Sequence, residues 1–233
     1  MSKFLRYSLL IFSVGLPLSL VTVSEAKAQV LREIMRRMDE HNKSIQSLQS
    51  DVIWVKTDPN LGAGGIDTSL GNITYMPKTG KSIMRARLNW TSPLEEWVVV
   101  EGNAFKSFRP KINQGYEGKA DKSSKNNRTG GALSFITMSR EQLRANFDVA
   151  YLGQEQIKGG VETWHLQLTP KTPQSYKVAE MWVDSDGMPR QIKVTEKNND
   201  TNAFLLTKIK KNERVDSSIF KLKIPKGAVM QKV

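Results

Sequence analysis

Reaction chemistry needs side chains that move protons, attack or hold a metal, and this chain has few of them. Its 233 residues include two histidines, His41 and His165, and no cysteine. A catalytic histidine needs a nucleophile and an orienting acid. No motif around His165 supplies them, so with Glu162 and Trp164 nearby it reads as an outward-facing surface residue. His41, close to Asp39 and Glu40, reads as a helix-face residue. Asp184-Ser185-Asp186-Gly187 opens like a calcium loop, but the rest of that pattern is missing, and a hairpin turn is the simpler reading. Glu95 and Glu96 are adjacent, so on a strand they point to opposite faces and read as solvated charge rather than an acid–base pair. Absence of cysteine excludes disulfides, thiolate zinc sites, iron–sulfur clusters and cysteine nucleophiles. The expectation is a protein that is not an enzyme, with no catalytic residue, metal or cofactor.

What the chain has instead is apolar surface and positive charge. Hydrophobic residues make up 39% of it, and 35 Lys and Arg against 23 Asp and Glu leave a net charge of +12. Lys3 and Arg6 precede a largely apolar run from Tyr7 to Val23, and Ala26-Lys27-Ala28 stands before Gln29. A basic start, a short apolar stretch and a small-residue exit are the parts of a secretory signal peptide. The expected organisation is therefore a signal peptide over 1–28, cleaved after Ala28, and a single domain over 29–233. An exported protein rarely meets nucleic acid, so that class of partner drops out. Losing Lys3, Arg6, Lys27 and Glu25 lowers the net charge from +12 to +10.

The periodicity then supplies the elements. Residues 29–49 repeat apolar side chains at helical spacing through Leu31, Ile34, Met35, Met38, Ile45 and Leu48. After Ser50 the period falls to two, with Val52 and Trp54 on one strand face, a Gly-rich loop over 58–65 and a strand over about 70–76. Met84, Ala86, Leu88 and Trp90 alternate with Arg85, Arg87 and Asn89, and 97–100 and 104–108 form a hairpin about Glu101-Gly102-Asn103. Residues 114–131 are polar and basic and read as a mobile loop. Ser139-Arg140-Glu141-Gln142 has capping-box spacing for a helix to about Phe147. Strands follow over 148–152, 161–169, 177–184, 191–197, 203–210 and 220–224. Such a chain builds an α+β domain: a strongly curved antiparallel sheet of about ten strands with helices in its mouth. The concave apolar face is either filled by the helices as a core or partly open as a ligand cavity.

At this point the residues carry a resemblance. Leu88-Asn89-Trp90-Thr91-Ser92-Pro93, Trp97 to Val100, Glu101-Gly102-Asn103 and Phe108-Arg109-Pro110 are similar to a run of motifs in the periplasmic outer-membrane lipoprotein carriers of the LolA type. Leu166-Gln167-Leu168-Thr169-Pro170-Lys171, Asp186-Gly187, Asp216 to Phe220 and Ile224-Pro225-Lys226-Gly227 resemble later ones, in order. The resemblance implies an incomplete antiparallel barrel of about 10–11 strands, a helical lid, an apolar cavity, and no cofactor. It also implies acylated lipoproteins or other lipids as cargo, an inner-membrane ATP-driven extractor and an outer-membrane acceptor as partners, and a monomer. Burying one sixteen-carbon acyl chain is worth on the order of 12 kcal/mol, which a soluble shuttle must supply and then give up. Met76 stands before Pro77 where the family often has an arginine linked to lid closure.

Strand parity and the resemblance together select Trp54, Tyr75, Met84, Leu88, Trp90, Trp97, Leu133, Ile136, Trp164 and Leu166 as cavity or lid residues, each of which is otherwise plain core. Lys106, Arg109, Lys111, Lys119, Lys122, Lys125 and Arg128 gather around one hairpin and the polar loop. They are either a solvated basic surface or a docking site for anionic lipid head groups or an acidic partner. Two other readings stand beside the carrier. One is an envelope-stress sensor of lipid or lipoprotein with the same fold, and the other is a secreted hydrolase.

Overall fold

A computed structural model describes residues 23–80, 82–119 and 138–233. Helix α1 spans Val23–Ser44. Six strands follow as a meander: β1 Leu48–Thr57, β2 Ile66–Met76, β3 Arg85–Ser92, β4 Glu96–Glu101, β5 Ala104–Arg109 and β6 Gln114–Lys119. Helix α2, Arg140–Asn146, leads into β7 Phe147–Ile157, β8 Val161–Pro170, β9 Tyr176–Asp184, β10 Pro189–Glu196 and β11 Thr201–Lys211, and β12 is Val229–Lys232. The sheet order is β12-β6-β5-β4-β3-β2-β1-β11-β10-β9-β8-β7, so the pairing of β1 with β11 joins two meanders. Every neighbour is antiparallel except β12, which runs parallel to β6. The edges β12 and β7 do not meet, and the result is the open, curved, incomplete barrel expected, with twelve strands.

The inner face is apolar because alternate residues of each strand are. In β1, Leu48, Val52 and Trp54 are buried while Gln49, Asp51 and Ile53 lie on the other face. Helix α1 turns Ile34, Met35 and Met38, all at most 2% exposed, onto Leu166, Leu168, Met181, Val183 and Ile192 of β8 to β10. Full burial of three such side chains stabilises the helix by roughly 5 to 9 kcal/mol, far more than ion pairs on its wet side. On that wet side Glu33 receives Arg36 at 2.6 Å and Arg37 at 2.7 Å. Helix α2 forms with the anticipated cap: Ser139 Oγ accepts from the Gln142 N–H at 3.2 Å, and Gln142 Oε1 accepts from the Ser139 N–H at 2.9 Å.

Four local expectations change. Helix α1 starts at Val23 and stops at Ser44 instead of reaching Gln49. Beyond it, Asn212 Oδ1 accepts from the Gln46 N–H at 2.7 Å and Asn212 Nδ2 donates to the Ser44 carbonyl at 3.2 Å, so the helix end is tied to β11 and Leu48 is free to enter the sheet. Residues 114–119, expected as loop, are strand β6. Its glycines are what β12 needs: a Cβ on Gly115 would sit 2.5 Å from Met230 Sδ, and one on Gly118 would sit 2.4 Å from the Val233 carbonyl. The remainder of that loop, and Leu133 and Ile136 of the expected lid, lie outside the described residues. Residues 220–224, expected as strand, instead leave a 3₁₀ turn, Ser217–Phe220, capped by Asp216 Oδ1 on the Ser218 N–H at 2.9 Å. The Gly-rich loop after β1 is likewise a 3₁₀ turn, Pro59–Gly65.

Helix and sheet meet most closely at the β9–β10 turn. Gly187 has φ +81°, and a Cβ there would lie 2.3 Å from the Arg37 carbonyl oxygen. Asp184 holds the turn, its Oδ1 accepting from the Asp186 and Met188 N–H groups at 3.0 and 2.9 Å. Arg37 donates to the Ser185 carbonyl at 2.8 Å. Gly187→Ala should lower unfolding free energy in urea by about 2–4 kcal/mol, because left-handed strain and overpacking add. Gly159→Ala, at φ +97° with open space around it, carries the strain alone and should lose about 1 kcal/mol. Equal losses would mean that the close approach contributes nothing.

Candidate functional site

The two halves of the inner face differ in what covers them. Over β7 to β10 the helices fill it: Trp164 and Leu166 belong to the cluster that receives α1, and the Arg37 guanidinium sits 5.2 Å over the Trp164 ring. Over β1 to β6 and β11 a second cluster forms from Val52, Trp54, Ile73, Leu88, Trp90, Val98, Val100, Phe105, Phe204 and Leu206, and no described residue of α1 or α2 belongs to it. An aromatic row crosses this half. Trp54 lies 6.2 Å from Trp90 and 6.0 Å from Phe204, ring centre to ring centre. Trp90 reaches across β2 because its partner there is Gly71, where a Cβ would meet the Trp90 ring at 3.1 Å.

The cluster becomes accessible at one end. A pocket of about 230 Å³ is lined by Ile45, Leu48, Tyr75, Pro77 and Met188, with His41, Asn42 and Lys78 around it. Ile45, Leu48 and Met188 are buried members of the apolar cluster and Tyr75 packs on it, so the pocket leads directly into that interior. Two titratable groups are partly buried beside it. Burial, with the Lys211 charge adding to it, pushes the His41 imidazole down to about 4, and burial pushes the Tyr75 phenol up to about 12. The arrangement sets an apolar floor of Ile45, Leu48 and Met188 beneath a rim of His41, Asn42, Tyr75 and Lys78, which suits holding a hydrocarbon chain by its apolar length with a polar end outside.

The selected residues therefore separate. Trp54, Tyr75, Met84, Leu88 and Trp90 come together in the second cluster, while Trp164 and Leu166 lie under α1. Trp97 joins neither, since its register opposite Phe108 puts it on the outer face, with ring centres 5.8 Å apart. His41, Ile45, Leu48 and Met188 were not selected as lining residues. Helical spacing links Ile45 to His41, but Met188 is brought in only by the Gly187 turn. Of the basic residues, Lys106 pairs with Glu117 at 3.1 Å and Arg109 with Glu96 at 3.4 Å, while Lys111 and Lys119 are exposed. Lys122, Lys125 and Arg128 lie outside the described residues.

His165 does lie on the outer face, yet it is only 15% exposed. Its Nδ1 is 3.0 Å from Glu155, its Nε2 is 3.1 Å from Glu180, and its ring stacks on Trp182 at 4.3 Å. Both nitrogens are occupied by carboxylates, so the cluster holds strands β7, β8 and β9 together and offers no free base. Asp184 to Gly187 is a hairpin turn whose carboxylate is spent on backbone N–H groups and on Arg190 at 3.3 Å.

No curated protein sequence matches the chain. Among solved structures, an uncharacterized conserved protein from Thermus thermophilus is similar at 14% identity and TM-score 0.56, over 88% of this chain and 100% of that one. The Pseudomonas aeruginosa MucA/MucB complex is similar at 15% identity and TM-score 0.51, over 82% of this chain and 60% of the matched one. The Mycobacterium tuberculosis lipoprotein LppX is similar at 15% identity and TM-score 0.50, over 81% and 98%. At these identities the likeness shows the fold. The family model for outer membrane lipoprotein carrier protein LolA matches residues 84–223, from the residue before β3 to the segment after Phe220. The chain belongs to the LolA family of outer membrane lipoprotein carrier proteins.

Proposed function

We propose that this protein is a periplasmic carrier that takes the acyl chains of lipoproteins into the trough of Trp54, Tyr75, Met84, Leu88 and Trp90 and shuttles them from the inner to the outer membrane. The observation that carries the reading is the pocket of Ile45, Leu48, Tyr75 and Met188, which gives access to an apolar cluster that neither α1 nor α2 fills. Each buried methylene contributes about 0.8 kcal/mol to holding the chain. Release needs no ATP at this protein, because contacts made by methionine and aromatic side chains re-form on one another when the chain leaves. An inner-membrane extractor and an outer-membrane acceptor complete the route, and a signal peptide over 1–28 places the protein on it. A sensor of lipid or lipoprotein is the second reading, favoured by the likeness to the MucA/MucB complex, although this chain covers only 60% of the matched chain there.

Chain recovered from an exporting bacterial host should carry bound acylated material in native mass spectrometry and should displace a fluorescent fatty acid. Tyr75→Arg, at the half-buried rim of the pocket, should weaken that displacement by about tenfold or more, since a charge must be desolvated for the chain to enter. Unchanged binding would remove the pocket from the route. If the protein instead retains a membrane-anchored regulator and no acyl chain, the sensor reading replaces the carrier.

The burial of His41 has its own pH signature. His41 titrates near 6.5 when unfolded and at about 4 when folded. Between those values the unfolded chain binds a proton that the folded one refuses, so stability falls as pH drops through that window. The thermal midpoint should decline from about pH 6.5 to about 4, and His41→Gln should lose that part of the decline. The same acid slope in both proteins would show that His41 is hydrated.

A further inference from the structure

Residues 220–224 carry a strand pattern for which the fold supplies no partner. Phe220 is buried and Leu222 and Ile224 are half-buried, while Lys221 and Lys223 between them are exposed. Lys221 leaves the 3₁₀ turn in an extended conformation, with φ −93° and ψ 111°. Yet no strand of the sheet pairs with this stretch, and among the described residues no backbone group accepts from the N–H groups of Leu222, Lys223 or Ile224. The stretch is nonetheless fixed at both ends. Arg87 donates to the Ile219 carbonyl at 2.5 Å before it, and the Val229 N–H donates to the Asn113 carbonyl at 3.0 Å after it.

A groove of about 270 Å³ runs between this stretch and the β4–β5 hairpin, with Val99, Ala104, Phe220 and Leu222 as its apolar lining. The charges around it do not balance. Glu101 is paired with Arg85 at 3.4 Å, and Glu117 with Lys106 at 3.1 Å. Asp216, the nearest acid along the chain, caps the Ser218 N–H at 2.9 Å, and no acid follows it up to Val233. Lys221 and Lys223 have no ion pair among the described residues.

We infer that residues 221–224 are a docking strand for an extended acidic segment of a partner protein. That segment pairs its backbone with the open N–H and carbonyl groups, sets apolar side chains in the groove and brings carboxylates to Lys221 and Lys223. Unpaired extended backbone is a template for strand addition, in which ladder bonds give affinity and pockets for alternate side chains give specificity. Alternation in this stretch selects a partner of the same period, since side chains two apart share a face. The unpaired lysines select acids. A second copy of this chain would set Lys221 and Lys223 against themselves, which like charges disfavour. Pro225 has no N–H, so the ladder ends at Ile224 and the contact is short and exchangeable. Val99 alternates with Val98 and Val100 of the inner cluster, so the groove lies on the face opposite the trough. A partner docked there leaves the cargo site free, whichever cargo is carried.

The test is fluorescence anisotropy of three labelled pentapeptides with the processed chain, recovered from an exporting host. One alternates glutamate with valine, one alternates lysine with valine, and one is the glutamate peptide N-methylated at its interior amides. The glutamate peptide should bind and weaken with added salt, and the lysine peptide should not bind. N-methylation should lower affinity by about tenfold or more, since it removes ladder donors at unchanged charge. Lys221→Glu combined with Lys223→Glu should lower it by a similar factor. Lys158→Glu combined with Lys197→Glu, an equal change of charge at two exposed turn positions, should bind as the parent does. An unchanged thermal midpoint establishes that the variants fold, and the N-methylated peptide tests the parent chain itself. The inference is overturned by no binding of the glutamate peptide, by equal binding of the lysine or N-methylated peptide, or by equal losses in the control pair. Binding of phosphatidylglycerol vesicles through Lys221 and Lys223 in place of the peptide overturns it as well. Fatty-acid displacement should be the same in every variant, with and without peptide, so failure of docking and failure of the cargo site are read separately.

Discussion

The structure depends on one close approach, helix α1 lying directly on the β9–β10 turn at Gly187. There the helix backbone comes so near that a single added carbon would touch the Arg37 carbonyl oxygen at 2.3 Å. The contact decides where the helix stands on the sheet. With Arg37 and Met38 pinned to this turn, Ile34, Met35 and Met38 fill the half built by β8 to β10. The same turn carries Met188 into the other half, beside Ile45 and Leu48. A helix held slightly farther off would close no pocket and bury no part of His41.

This division of the inner face separates the half that locks the helix from the half that the proposed function uses. One half is a conventional core, in which fully buried aliphatic and methionine side chains lock a helix. The other is an aromatic and aliphatic trough with its own point of access, where the contacts are non-directional and exchangeable. Hydrocarbon binding requires that distinction, because tight packing excludes ligand and an open apolar face would aggregate. Among the described residues the ordered polar networks sit elsewhere: at the Asp184 turn, at the end of α1 around Asn212, and on the outer face around His165.

Much of the fold was legible because strand periodicity is a local property. The alternation of Met84, Ala86, Leu88 and Trp90 announces β3, and the capping box at Ser139 and Gln142 announces α2. What failed to show was longer in range. Residues 114–119 look like loop because Gly115 and Gly118 are poor strand residues. They become strand between β5 and β12, which approach so closely that a Cβ on Gly115 would meet the Ser107 carbonyl at 2.4 Å and one on Gly118 the Val233 carbonyl at 2.4 Å. Residues 220–224 alternate like a strand, yet find no partner ladder, and the chain pairs later, at Val229. Helical spacing continues past Ser44 through Ile45 and Leu48, but Asn212 ends the helix from a position 168 residues away.

By itself the sequence determined the type of protein: a cysteine-free, basic α+β chain with one apolar sheet face, in the order of motifs shared by lipoprotein carriers. It also determined that chemistry by histidine or metal was not to be expected, since the residues for it are not arranged as motifs. Only the tertiary structure decided which apolar residues are core and which border access to the interior. Trp54, Trp90 and Trp164 share one parity, and Trp97 belongs to the other by register alone. Whether a helix covers a given inward residue depends on the Gly187 contact between segments about 150 residues apart in sequence, and pattern along the chain carries no record of such a distance. The groove beside residues 220–222 was invisible for the same reason. Val99, Ala104 and Phe220 line it together only because the chain returns across the β4–β5 hairpin long after forming it.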